Sequence, residues 1–166
     1  MPLLRKILLA VMLLVVVFLL AMLSHPLSPA VNNNSGLPMS TLSIGAETLS
    51  VEIAATPKAR AQGLSGRASL KSGTGMFFVF QQNGDWGFWM KDMQFPIDII
   101  FIGETGAVTT VYKNISPDTY PQVFYPEVAS RFVLEVPAGF AETHQITQGS
   151  TFIVPSDVRV LGEVTP

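Results

Sequence analysis

From Thr41 onward the chain alternates apolar and polar positions in short runs separated by turn residues. "LSVEIA" (49–54) has period two, the spacing of a strand with one covered face. "GMFFVFQQNGDWGFWMK" (75–91) brackets Asn83-Gly84, the preferred pair for a two-residue type I′ hairpin loop. With those two residues as the loop, Phe80 lies opposite Gly87, Phe78 opposite Trp89 and Met76 opposite Lys91. One face then carries Met76, Phe78, Phe80, Trp89 and Lys91, and the other carries Phe77, Val79, Phe88 and Met90. Both faces are apolar, so the hairpin is either covered on both sides or keeps one face for a ligand or partner.

A second hairpin is predicted around Gly103–Gly106, with Ile97, Ile99 and Phe101 on one face and Asp98, Ile100 and Ile102 on the other. "RFVLEVPAG" (131–139) places Phe132, Leu134 and Val136 inward and Arg131 and Glu135 on the opposite face. "STFIVP" (150–155) reads as a last short strand. "TPKARAQG" (56–63) is one short helix: Thr56 can cap it, Pro57 suits its first position and Gly63 its left-handed stop. The pattern predicts an all-β domain over residues 41–160, a small sandwich or barrel-like fold of seven or eight strands with one short helix.

The N-terminus follows a different rule. Seventeen apolar residues, Ile7 to Leu23, follow Arg5 and Lys6 without a polar interruption. As a helix they span ~25 Å, slightly short of the ~30 Å apolar core of a bilayer. The preceding charges orient the run with its N-terminus in the cytoplasm and the domain outside. The run is either a retained signal anchor or a signal peptide cut after "SPA" at Ser28–Ala30. Residues 24–40, rich in Pro and Asn and without periodicity, read as a flexible spacer. The expected location is therefore extracytoplasmic, on the cytoplasmic membrane or released from it.

Composition narrows the chemistry. With 48% apolar and 13% charged residues the chain is too oily for disorder. It has no cysteine, which excludes a disulfide frame, a thiolate metal site and a cysteine nucleophile. Residues 31–166 carry eight Lys/Arg and twelve Asp/Glu, about −4, with no basic block for a phosphate backbone, so no nucleic-acid partner is expected. Zinc-ligand spacings, a nucleophile elbow and a P-loop are all missing from the sequence. Met90 and Met93 have the spacing of a thioether pair, but Met90 falls on a packed hairpin face, and core filling is the better reading. No cofactor or metal is expected. The Pro- and Tyr-rich stretch 114–127 reads as a long loop, either a lid or a cover for a sheet edge.

Four segments in order, "RAQGLSGR" (60–67), "GMFFVF" (75–80), "FWMKDMQFPIDIIFI" (88–102) and "VLEVPAG" (133–139), resemble the bacterial and archaeal family known as domain of unknown function 192. The resemblance covers residues 49–154 and implies a compact β-sandwich-like domain, often behind a signal or anchor segment. It implies no reaction. The family's recurring positions fall on Gly63, Leu64, Arg67, Gly75, Met76, Trp89, Met90, Lys91, Pro96, Asp98, Glu135 and Gly139. Ser65-Gly66 departs from the usual methionine and bulky residue before the arginine.

Charge is scarce, yet Arg67, Lys91, Asp98 and Glu135, with Glu52, lie in or beside oily strands. Burying them requires pairing. Gathered beside Trp89 at one mouth of the fold, Arg67, Lys91, Asp98 and Glu135 are the expected contacts of a small polar ligand or envelope component, bound without catalysis. Two rivals remain. Asp98 and Glu135 across one cleft form the pair of a carboxylate-based hydrolase. The same charges paired and closed make a structural or protein-docking module. Oligomeric state is not fixed by sequence.

Overall fold

Alternation, capping and glycine placement account for most of the elements of the protein. The structure, a computed structural model, describes residues 36–44 and 47–161. The apolar run Ile7–Leu23, the Ser28–Ala30 segment and most of the expected spacer lie outside the described residues. Among the described residues no helix is long and apolar enough to cross a membrane.

Among the described residues there are nine strands: β1 (Met39–Ile44), β2 (Glu47–Ala54), β3 (Thr74–Gly84), β4 (Phe88–Trp89), β5 (Ile97–Ile102), β6 (Val108–Ile115), β7 (Val123–Phe124), β8 (Ser130–Pro137) and β9 (Phe152–Ile153). Three short helices join them: α1 (Pro57–Gln62), α2 (Phe140–Thr143) and α3 (Ser156–Val160). Only the first was expected. β1 begins at Met39, inside the stretch read as spacer, and the Pro38 carbonyl accepts from Ile53 N at 2.8 Å.

The fold is mostly β, but not a two-sheet sandwich. Seven strands form one curled sheet in the order β6-β5-β8-β3-β2-β1-β9, and β4 and β7 form a separate ribbon. β2 and β3 run parallel, joined by the crossover that contains α1, and the other sheet pairs are antiparallel. Irregular register in β5–β6 and β3–β8 bends the strands. The curl brings the two edges together at one point. β9 pairs with β1, and Thr151 bridges Ala107 just ahead of β6. Gly106 is required there, since a Cβ would fall 2.3 Å from the Phe152 carbonyl oxygen. This half-barrel closes the fold more than an open sandwich would.

The expected Asn83-Gly84 hairpin does not form. β3 runs through both residues, and neither has the positive φ that a type I′ turn needs. Gly84 serves a different purpose: a Cβ there would lie 2.8 Å from Trp86 Cε2, so the glycine makes room for an indole. β4 pairs with β7, not with β3. The alternation within β3 is as predicted. The faces of β4 are reversed, because Phe88 and Met90 join Met76 and Phe78 while Trp89 turns outward. The hairpin around Gly103–Gly106 forms as expected between β5 and β6, with Gly103 N donating to Ala107 O at 2.8 Å.

Both sides of the sheet are buried. Phe77, Val79, Ile100, Phe132, Leu134 and Val136 fill the inside of the curl. Phe78, Ile99, Phe101 and Val133 face outward under a second layer that includes Ala59, Leu64, Phe88 and Phe124. The 114–127 stretch is part of that layer, with Phe124 buried and a 3₁₀ turn at Pro117–Thr119.

Asp98 is fully buried on the inner side, and its carboxylate holds three backbone segments together. Oδ1 accepts from Asn114 N at 2.7 Å and Gly139 N at 3.2 Å, and Oδ2 accepts from Ala141 N at 2.8 Å. The end of β6, the left-handed Gly139 and the start of α2 are thus pinned to β5. Hydrogen bonds to a charged acceptor contribute roughly 1.5–3 kcal/mol each. Asp98→Ala should lower unfolding free energy in urea titrations by about 3–5 kcal/mol, and Asp98→Asn by less. A loss below about 1 kcal/mol for the alanine variant would show that the tie is not structural.

Candidate functional site

The site is built on the outer layer, starting from α1. Thr56 Oγ1 accepts from Ala59 N at 3.2 Å, Pro57 occupies the first turn, and Gly63 ends the helix at φ +50°. The following "GLSGR" loop docks on the 90–93 turn. Gly66 N donates to Asp92 O and Ser65 Oγ to Lys91 O, both at 2.9 Å, and Leu64 is buried. This clamp holds α1 beside β3 and β4 and leaves a cleft of about 250 Å³ between them.

The cleft has aromatic walls. The Phe80 and Trp86 rings stack at 4.1 Å and 7°, and the Arg60 guanidinium stands 5.0 Å from the Phe80 centroid. Arg60 Nη1 donates to the carbonyls of Ala55 at 2.5 Å and Val79 at 3.0 Å, which fixes its stem. Phe78 and Phe88 meet edge to face at 4.8 Å. Trp89, 52% exposed, lines the mouth and meets Tyr120 edge-on at 6.2 Å. Both tryptophans of the chain therefore line this one hollow.

Its polar floor comes from a row of side chains across the sheet. Register places Glu52, Met76, Glu135 and Ile99 on neighbouring strands of one face. Arg67 forks onto Glu52, with Nη1 at 2.5 Å from Oε1 and Nη2 at 2.9 Å from Oε2. Glu135 is 5% exposed and lines the cleft, and its Oε2 has no hydrogen-bond partner. Burial pushes its pKa up to about 8, against the opposing pull of the Arg67 guanidinium. Trp86 Nε1 is the other buried side-chain polar atom without a partner among the described residues. Both orphans belong to residues of the same cleft.

The expected contact set is thus split. Trp89 and Glu135 line the cleft, and Arg67 lies close enough to act on Glu135 but is engaged by Glu52. Lys91 is exposed on the 90–93 turn and is not part of the lining. Asp98 belongs to the other side of the sheet: it is opposite Val136, which faces inward, whereas Glu135 faces out. The two-carboxylate cleft therefore does not form, because adjacent strands with matched register put these acids on opposite faces. Met90 is buried in the outer layer, as core filling requires. Sequence reasoning missed Arg60 and Trp86. The signal available was two tryptophans three positions apart beside a glycine, with an arginine on the short helix predicted over 56–63.

The raised pKa of Glu135 fixes the sign of a pH effect. Between about 4.5 and about 8 the folded protein keeps a proton that the unfolded chain releases, so stability falls as pH rises through that window. The contribution is fully present below about 4.5 and gone above about 8. Urea titrations at pH 5 and pH 8.5 should show wild type losing a few kcal/mol more than Glu135→Gln. Parallel pH profiles would show that the carboxyl is not held neutral.

Comparison with known proteins agrees with this architecture. The sequence profile of DUF192, described as "Uncharacterized ACR", matches residues 40–154. No curated protein matches the chain. A protein of unknown function from Novosphingobium aromaticivorans DSM 12444 superposes with a TM-score of 0.69 at 28% identity, over 78% of this chain and 94% of that one. A protein from Sinorhizobium meliloti 1021, described as a proposed transcription regulator, superposes with a TM-score of 0.67 at 27% identity, over 70% and 94%. The family match spans most of the chain and nearly all of the half-barrel: the protein is a member of the uncharacterised DUF192 family.

Proposed function

We propose that this domain binds a small polar ligand, without turnover, in the cleft between α1, β3 and β4. One observation carries the reading: Trp86 and Glu135 line one aromatic hollow, and each has a buried side-chain polar atom, Nε1 and Oε2, without a partner among the described residues. An unsatisfied buried polar group costs roughly 1–3 kcal/mol, and a ligand that supplies both partners recovers it. Convergent polar groups in an aromatic pocket are the usual make-up of a small-molecule site. The volume, about 250 Å³, is just below the ~300–1,000 Å³ of drug-sized sites, which suits a ligand of about one ring. Glu135 is the only carboxylate in the lining among the described residues, so the reading assigns it to recognition and not to acid–base catalysis.

We place the cleft outside the cytoplasm, tethered or released through residues 7–23, on the strength of the apolar run and its flanking charges. Protease added to intact spheroplasts should digest a tethered domain, and a released one should leave with the fraction shed when the spheroplasts form. Protection until lysis would overturn that location.

Because both tryptophans line the cleft, their fluorescence reports its occupancy without a label. Titration of the full chain with a panel of sugars, amino acids and ring carboxylates should shift the emission for at least one class. Trp86→Phe, which keeps the ring and removes the donor, should weaken that binding ~5- to 30-fold. A panel without any shift, or a Trp86→Phe variant that binds as wild type does, would remove the basis of the proposal.

A further inference from the structure

The polar atoms of the cleft are unequal in kind, and this points to the class of ligand. We infer that the cleft selects a ring bearing a carboxylate, an aromatic acid or a sugar acid, and that Arg60 holds the acid group. The inference rests on the cleft being the binding site and adds the chemistry of its occupant.

Two of the polar groups in the lining are donors only. An indole N–H can only donate, and so can a guanidinium. Arg60 commits Nη1 to the carbonyls of Ala55 and Val79, which leaves Nε and Nη2 without a protein acceptor among the described residues. Glu135 keeps its proton near neutrality because burial outweighs the nearby guanidinium. A neutral carboxyl adds an O–H donor and no negative charge. At neutral pH the formal charge of the cleft lining is therefore that of Arg60.

An amine or a quaternary ammonium suits aromatic walls, but here it would meet Arg60 and find no ionised acceptor. A neutral sugar brings as many donors as acceptors and leaves the guanidinium without a charged partner. A carboxylate is acceptor-only and matches the fork of a guanidinium. The ring that carries it has a flat surface to lie against, the exposed Trp89 indole at the mouth. The overall charge of about −4 for residues 31–166 does not oppose this, since exposed charges beyond roughly 10 Å are screened at 0.1 M salt.

The groups around Glu135 set the response to pH. Arg67 and Glu52, paired with each other, lie on its β2 side, and Arg60 is on α1. β3 and β5 present Met76 and Ile99 beside it, and Met93 completes that wall, none of which titrates. When Glu135 loses its proton, the cleft gains a negative charge that opposes a bound carboxylate.

The test uses matched probes on the full chain at pH 6.5, read by tryptophan fluorescence and by the Trp86 indole N–H resonance. The pairs are benzoate with benzyl alcohol and glucuronate with methyl glucoside, with benzylamine as the cationic control. The acid of at least one pair should bind at least ten-fold more tightly than its neutral partner and shift the Trp86 resonance. The pair with the larger preference identifies an aromatic or a sugar acid. At pH 9 wild type should lose several-fold in affinity for the acid, whereas Glu135→Gln, neutral at both pH values, should not. Arg60→Lys, which keeps the charge and loses the fork, should weaken acid binding without unfolding. Equal or tighter binding of the neutral or cationic probe, with Trp86 perturbed, would overturn the ligand class and leave the cleft as the site. No perturbation of Trp86 by any probe would overturn both.

Discussion

A sheet buried on both faces has no neutral place for a charge. This constraint organises the protein. Four charged residues lie buried in the strands: Glu52, Asp98, Arg131 and Glu135. Each would cost several kcal/mol if left bare. Glu52 is met by the Arg67 fork. Asp98 gathers three backbone N–H groups. Arg131 donates to the carbonyls of Phe80 and Arg159 and to the Glu104 carboxylate. Glu135 departs from the pattern, with Oε2 buried and without a partner. Its neighbour Arg67 is engaged by Glu52, so the ion pair that would quiet Glu135 is formed one position away, across Met76. The result is a carboxyl that keeps its proton at the floor of an aromatic hollow.

Strand identity was legible because period two survives burial on both faces when inner and outer residues are both named. Residues 97–102 and 131–136 fall on the faces that alternation assigns. The first helix was legible because Thr56, Pro57 and Gly63 are local signals whose chemistry does not depend on the rest of the fold. Gly84 misled because glycine has two uses. It can supply a positive φ, or it can vacate the space that a Cβ would fill. Here an indole takes that space, and a sequence does not say which neighbour will arrive. The error propagated by counting: a hairpin register places Trp89 beside Phe78, whereas pairing with β7 turns it to solvent.

Gathering of the scarce charges was legible only in part, for a related reason. Strand position tells which side of its own strand a residue takes, but two strands must be put in register before their sides can be compared. Asp98 and Glu135 look alike in sequence, each one polar residue in an oily run. The pairing of Asp98 with Val136 and of Ile99 with Glu135 separates them through the thickness of the sheet. A pair of acids thereby becomes one structural ligand for backbone amides and one orphan in a cleft. Arg60 was overlooked because its role comes from where α1 is clamped, by the loop contacts of Ser65 and Gly66 with the 90–93 turn, and those contacts are non-local.

The division of the two layers explains how an unsatisfied carboxyl can be tolerated. The inner layer, closed where β9 pairs with β1 and Thr151 bridges Ala107, is pinned by Asp98 and holds the larger of the two buried clusters. The outer layer is thinner, made of a two-stranded ribbon, a six-residue helix and loops. The penalty at Glu135 is a few kcal/mol by the pKa argument, of the same order as one large buried side chain contributes, and so within the reach of the inner core to offset. A protonated acid in a low-dielectric pocket donates to an incoming oxygen without first shedding a hydration shell, as a solvated residue must. The feature that weakens the free domain is therefore the same one that prepares the cleft for a partner rich in acceptors.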